Sequence, residues 1–244
     1  MPCYRAGMTQ PRPVVLITGA TGAAGRAAAT RFAADGALVA LNGSDAGRVD
    51  ALLAELSLPP GIAEAAPGDL RDPVVAREVA AQVEARFGRI DVLLHLVGGW
   101  TGGTPVTALG DAEVRWMLDQ HLWTTLNTLQ AVVPGMVARG FGRVVAVSSP
   151  FAAAPGPGGA SYAMGKAAQE TLIRTLAREH AADGVTANLL VVRTIDTDHV
   201  RETNPARANA GWTTPEELAE AMAWLASPAA AAVNGARIVL DGRG

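Results

Sequence analysis

A serine hydroxyl, a phenol and an ammonium stand at usable spacings in the stretch 148–166, SSPFAAAPGPGGASYAMGK. Tyr162 and Lys166 are four residues apart and so share one face of a helix. Ser149 lies 13 residues before Tyr162, across a Pro/Gly-rich loop able to fold it back toward the phenol. A free tyrosine titrates near ~10, too high for ready proton exchange at neutral pH. A close ammonium and a second positive charge would favour the phenolate and lower that value. A drop of about 3 units takes about 4 kcal/mol of differential interaction, within reach of two close cations. Tyr-x-x-x-Lys alone is also the spacing of a solvated surface pair. The weight therefore rests on the elements that position the trio.

The apolar run at 13–18 suits a strand buried on both faces, and it enters Gly19, Gly22 and Gly25 directly before a helical stretch at 26–34. Such glycines allow a tight turn, let a pyrophosphate approach the backbone and aim helix N–H groups at it. A ligand-free βα turn would use them equally well. Further strands are expected at 37–41, within 59–67, at 90–97, 142–148, 185–192 and 236–240. Helices are expected at 46–56, 74–87, 111–138, 161–182 and 215–226. Ser44 or Asp45 would cap the first of these, and Asp72 with Pro73 would open the second, which Gly88 stops. The long helix at 111–138 is expected to bend near Pro134 and Gly135. Loops fall at 100–110 and 193–211. This alternation predicts an α/β fold: a Rossmann-like, doubly wound parallel sheet of about seven strands with helices on both faces. The glycine turn, Gly98-Gly99, Ser149 and the 193–212 loop all lie at strand carboxyl ends and so converge on one cleft.

The 244 residues, 49% hydrophobic, suit one large domain at 13–244 behind a flexible extension at 1–12. No apolar run reaches the length of a membrane span, and the N-terminus lacks a signal-peptide layout. A net charge of −3, spread along the chain, gives no reason to propose nucleic acid or a membrane surface as partner. The single cysteine, Cys3, forms no internal disulfide, which agrees with a cytoplasmic protein.

The chain resembles the short-chain dehydrogenase/reductase family over nearly its whole length after residue 12. The matching features are TGATGAAG at 18–25, Asp69, Asp91, Gly98, Ser149, YAMGK at 162–166, Asn188 and IDT at 195–197. TPEELA at 214–219 and Gly235 with LDG at 240–242 complete the set. The resemblance implies an NAD(P)-dependent oxidoreductase that interconverts a carbonyl and a secondary alcohol on a small to medium organic substrate. Tyr162 would be the general acid/base, Ser149 would hydrogen-bond the reacting oxygen, and Lys166 would lower the phenol and hold the nicotinamide ribose. His121 stands where the family has an asparagine that acts through its main-chain carbonyl. Cofactor contacts are implied for Gly19, Thr21, Gly22, Ala23, Ala24, Gly25, Ser44, Asp69, Leu70 and Gly98, besides Tyr162 and Lys166. A homotetramer or dimer built on the helices at 111–138 and 161–182 is the family-like expectation.

Several positions depart from the family pattern. The middle glycine comes one place early, and the usual Asn-Asn-Ala-Gly reads His95-Leu96-Val97-Gly98. Val192-Arg193 replaces a Pro-Gly, and Pro150 restricts Ser149 to extended backbone. Packing or hydrogen bonding is the favoured role for His95 and His121, and neither has a second ligand at metal-binding spacing. Trp100 and Trp212 are the better candidates for substrate contact, with Trp116 and Trp123 as packing or pocket wall. No carboxylate ends the second strand, which reads Asn42-Gly43-Ser44. NADP is therefore favoured over NAD, with Arg26 or Arg48 supplying charge. Two other readings stand beside the oxidoreductase. One is a non-catalytic or regulatory dinucleotide-binding relative; the other uses the same scaffold for non-redox net chemistry.

Overall fold

The computed structural model describes residues 12–241, and the expected extension lies outside them but for Arg12. The strands are Val14–Thr18 (β1), Leu38–Leu41 (β2), Ala63–Ala65 (β3), Val92–His95 (β4), Gly142–Ser148 (β5), Val185–Val191 (β6) and Arg237–Val239 (β7). They form one parallel sheet in the order β3-β2-β1-β4-β5-β6-β7. The helices are Ala23–Ala34 (α1), Ala46–Leu56 (α2), Pro73–Phe87 (α3), Asp111–Leu118 (α4), Thr124–Arg139 (α5) and Ala160–Glu179 (α6). A short Val200–Thr203 (α7) and Pro215–Ala226 (α8) complete them.

Successive β1 side chains point to opposite faces, and all of them are buried. Val14 and Leu16 pack with Val79, Val132, Met136 and Ile173, which places α3, α5 and α6 on one face. Val15 and Ile17 pack with Phe32, Leu52, Leu218 and Met222, which places α1, α2 and α8 on the other. The chain winds outward from β1 through β2 and β3, then returns to β4 on the other side of β1. That reversal opens a crevice at the carboxyl ends of β1 and β4. Among the described residues no helix is long and apolar enough to cross a membrane.

The expected caps form. Asp45 accepts from Arg48 N at 3.0 Å, Asp72 accepts from Val74 N at 2.7 Å, and Gly88 ends α3 at φ 85°. The long helix differs from its expectation. It runs through Pro134 to Arg139, and its irregularity is instead a π-helical turn at Asp119–Trp123. Threonines account for the shift. Thr124, Thr125 and Thr128 each donate a hydroxyl to the carbonyl four residues earlier, and such back-bonding loosens the helical ladder. The loop at 193–211 also differs, since it contains α7.

The first helix starts at Ala23, three residues before its expected beginning, because Gly25 is seated against the turn. A Cβ on Gly25 would lie 2.5 Å from both Cα and O of Ala20. Backbone cannot yield as a side chain can, so Gly25→Ala should lower the unfolding free energy by about 1–3 kcal/mol. Urea unfolding followed by circular dichroism measures it; an unchanged midpoint would mean that α1 is not held at this contact.

Candidate active site

Strand β5 delivers Ser148 and Ser149 at its carboxyl end. Both are buried. The Ser149 hydroxyl accepts from Phe151 N at 3.3 Å, which fixes it at the mouth of the Pro/Gly loop. Tyr162, in the first turns of α6, comes close enough to Ser149 across that loop for the serine to act on its phenol. Its ring lies edge-on to His121 at 5.5 Å and to Phe151 at 6.0 Å. Lys166, one helical turn on, is buried and donates to Val147 O at 2.8 Å and to Gln169 Oε1 at 3.0 Å.

Burial pushes the Tyr162 phenol above its ordinary value, and Ser149 pulls only partly back. Two of the lysine's protons go to Val147 and Gln169. Burial also lowers Lys166 itself to about 7, with Glu170 opposing.

Gln169 belongs to a buried hydrogen-bond circuit whose directions are fixed. An ammonium only donates, so Gln169 presents its oxygen to Lys166 and its amide to Thr125 Oγ1 at 3.2 Å. Thr125 gives its one proton to His121 O at 2.5 Å, so it must accept from His95 Nε2 at 3.0 Å. His95 is then the Nε2–H tautomer, and its Nδ1 accepts from Thr18 Oγ1 at 3.0 Å. Thr18 in turn accepts from Leu96 N at 3.3 Å. His95 thus braces β1 against β4, where the family's amide pair was expected. Gln169 and Thr125 escape the sequence reading, although one lies three residues past Lys166 and the other four past His121.

The crevice itself is a cavity of about 490 Å³. Of the expected contacts, Gly19, Thr21, Gly22, Ser44, Asp69, Leu70 and Gly98 line it, joined by Arg48, Arg71, Trp116 and Gln120. Gly19 makes the turn at φ 67°. Gly22 caps α1 with no side chain, and no acid sits in the first turn, so the leading N–H groups stay free for an anion. Ala23 and Ala24 lie in that turn, where main chain is what they offer. Gly25 does not line the cavity, for it packs on Ala20 as described above. Asp69 is held by Arg71 Nε at 2.9 Å, and this pairing keeps its carboxyl below the usual range. Asn42 spends both amide protons on Ala66 O and Gly68 O, so it braces the wall and is not available as a donor to a phosphate.

The two arginines offered for cofactor charge separate. Arg48 lines the cavity, whereas Arg26 pairs with Glu55 outside it. A side chain at Gly43 would press on Val49, its Cβ 3.0 Å from that residue's Cγ2. Of the tryptophans, Trp116 is cavity wall, Trp100 is 66% exposed, and Trp212 lines a separate hollow with Arg201 and Leu240. Among the described residues no three His, Cys, Asp or Glu side chains are grouped to hold a metal.

A profile of the short chain dehydrogenase family matches residues 13–208. A (2S)-[(R)-hydroxy(phenyl)methyl]succinyl-CoA dehydrogenase subunit, BbsC of Thauera aromatica, is 36% identical and covers 94% of this chain and 93% of its own. The meso-2,3-butanediol dehydrogenase of Serratia marcescens is 33% identical, with 94% and 93% covered. Among solved structures, a short chain dehydrogenase/reductase-family oxidoreductase from Burkholderia thailandensis is 31% identical. It superposes with a TM-score of 0.83 over 96% of this chain and 92% of its own.

Burial, reinforced by the charge of Lys166, pushes His95 and His121 from 6.5 down to about 3. Between those values the unfolded chain takes up protons at these rings and the folded chain does not. Stability should therefore fall as pH drops from about 6.5 toward 3, by up to about 1.4 kcal/mol per pH unit for each ring. Urea midpoints at pH 7, 6 and 5 measure the slope, and His95→Asn should remove part of it. A flat profile would place the rings in water.

Proposed function

The chain belongs to the short-chain dehydrogenase family, and from that premise we propose that it is an NADP-preferring oxidoreductase. It reduces a carbonyl, or oxidises a secondary alcohol, on a small to medium organic substrate. The observation that carries this reading is the buried Lys166 one helical turn from Tyr162, whose phenol Ser149 influences, beside a glycine-turned crevice.

The residues present fit a dinucleotide. The uncapped start of α1 offers N–H groups to a pyrophosphate, while Gly22 leaves room for close approach. Asp69 and Leu70 would border the adenine, and Gly98 the nicotinamide side. Ser44 and Arg48 would meet a ribose 2′-phosphate at a wall that has no carboxylate at position 43. The dinucleotide, when bound, supplies or accepts the hydride. Ser149 and Tyr162 both offer hydroxyls to the substrate oxygen. Because burial raises the phenol, Tyr162 holds its proton at neutral pH and is ready to give it to a developing alkoxide. Lys166, which titrates near neutrality, can replace that proton.

An apolar groove along α5 and α6, lined by Leu126, Val133, Val137, Leu172 and Leu176, favours oligomer contact on those helices. The Thauera aromatica relative is named as a subunit, which favours a second reading: a chain that acts inside an assembly with another subunit. Turnover by the purified chain alone separates the two.

Tyr162→Phe should cut turnover of a reduced carbonyl by about 10²–10⁴-fold and leave dinucleotide affinity within a few-fold. Steady-state NAD(P)H consumption, with tryptophan quenching for binding, reads both; unchanged turnover would remove Tyr162 as the acid. Arg48→Glu should weaken NADPH by about tenfold or more and spare NADH. Equal loss of both would mean that Arg48 does not read the 2′-phosphate.

A further inference from the structure

The carboxyl end of β5 needs more support than the sheet supplies. Its pairing with β4 stops at Ala146, while its pairing with β6 runs on to Ser148. Ser149 lies past the last paired residue, and its carbonyl accepts from Ala152 N at 3.1 Å in the turn that follows. A hydroxyl that must meet a reacting oxygen to within about 0.5 Å is thus carried on a strand tip with one neighbour.

The support comes from the far edge of the sheet. Arg237 on β7 stands in one row with Leu189 of β6 and Ala146 of β5, so its side chain rises on the face that packs α6. From there it reaches across β6. Its Nε donates to Glu170 Oε1 at 3.0 Å and to Oε2 at 3.1 Å, and its Nη2 donates to Ser149 O at 3.3 Å. Glu170, buried on α6, also accepts the Ser148 hydroxyl on Oε1 at 2.7 Å. Ser148 is therefore gripped by its side chain and Ser149 by its carbonyl. A carboxylate this far out of water requires a cation beside it. Only a planar fork serves that carboxylate and a carbonyl beyond it at once. In the sequence the same arginine reads as a charge that guards a sheet edge, which is why its position draws no notice there.

We propose that Arg237 is a positioning residue for Ser149, fixing the serine from behind, together with Glu170, so that its hydroxyl faces the Tyr162 phenol. The effect on turnover rests on the oxidoreductase reading; the placement itself does not. Arg237 does not line the crevice, and what it holds is the main chain of the serine. The Ser149 hydroxyl is left to accept from Phe151 N and to act on the phenol.

The test reads that action directly. Tyr162 is one of two tyrosines, so 13C labelling at Cζ gives two NMR signals, and Tyr162→Phe identifies the one that matters. The phenol faces His121 and Phe151, with Lys166 one helical turn on, and the variants alter none of these. Ser149 draws the phenol down, so a lost or misplaced hydroxyl should raise its titration midpoint. Arg237→Lys keeps a cation beside Glu170, and with it the fold, but lacks the second arm that reaches Ser149 O. Arg237→Lys and Ser149→Ala should each raise the midpoint by about 0.5–1 unit, and the double variant no further than Ser149→Ala alone. A midpoint unmoved by Arg237→Lys, or moved again by as much in the Ser149→Ala background, overturns the proposal. A phenol indifferent to Ser149→Ala overturns it too, since there is then no placement to protect. In turnover of a carbonyl, Arg237→Lys should lower kcat about tenfold, leave KM and dinucleotide affinity within a few-fold, and cost nothing more in the Ser149→Ala background. An unchanged kcat removes the role. A wild-type chain that turns over no carbonyl loses the oxidoreductase reading, and the titration still decides the placement.

Discussion

An amine taken out of water is the constraint on which the rest of the site depends. Lys166 is buried in α6 with no carboxylate among the described residues hydrogen-bonded to its ammonium, and burial brings it to about 7. A buried cation is tolerable only where each proton finds an acceptor. The chain meets that demand for two of the three protons, at the end of β5 through Val147 O and on its own helix through Gln169. Gln169 then needs an acceptor for its amide, Thr125 needs one for its hydroxyl, and His95 must give up one nitrogen and receive at the other. One ammonium thus orders side chains on β1, β4, α5 and α6.

The same reasoning explains why two histidines sit comfortably where the family has asparagines. A neutral imidazole, like an amide, is both donor and acceptor. At His95 both functions are used, joining Thr18 to Thr125 across the gap between β1 and α5. Burial keeps the ring neutral, so the brace holds without a charge to compensate. Replacement of the amide is therefore a change of span, because the longer ring reaches threonines on both sides. The departures that weaken a sequence argument for a competent site become, in three dimensions, a different set of supports for the same carboxyl ends.

Much of the frame was legible before any coordinates. Gly88 as a helix stop, Asp72 with Pro73 as a start, and the strand ends that carry Ser149 all follow from local chemistry that tertiary packing has no reason to override. What stayed hidden depends on contacts between distant segments. No pattern distinguishes Arg48 from Arg26 until Glu55 is seen to pair with the latter. Gly25 reads as a phosphate glycine until Ala20 is found against it. The phenol of Tyr162 looks lowered on a helical wheel, because four-residue spacing says nothing of how deeply the ring is buried. The π-helical turn was the one hidden feature with a local signal, in the threonines at 124, 125 and 128. A proline drew attention away from them.

That turn links the support to the chemistry. Asp119–Trp123 carries His121 at its centre, and a widened turn lets the ring lean toward Gly98 and Gly99 while its carbonyl faces Thr125. In a regular α-helix that carbonyl would be committed to the N–H of residue 125, four positions on. The hydroxyl of Thr125 also reaches that carbonyl, while its own oxygen accepts from His95 and Gln169. The placement of His121 is therefore coupled to the lysine through Thr125 and Gln169. A substitution at either should move the ring, even though neither side chain lines the cavity.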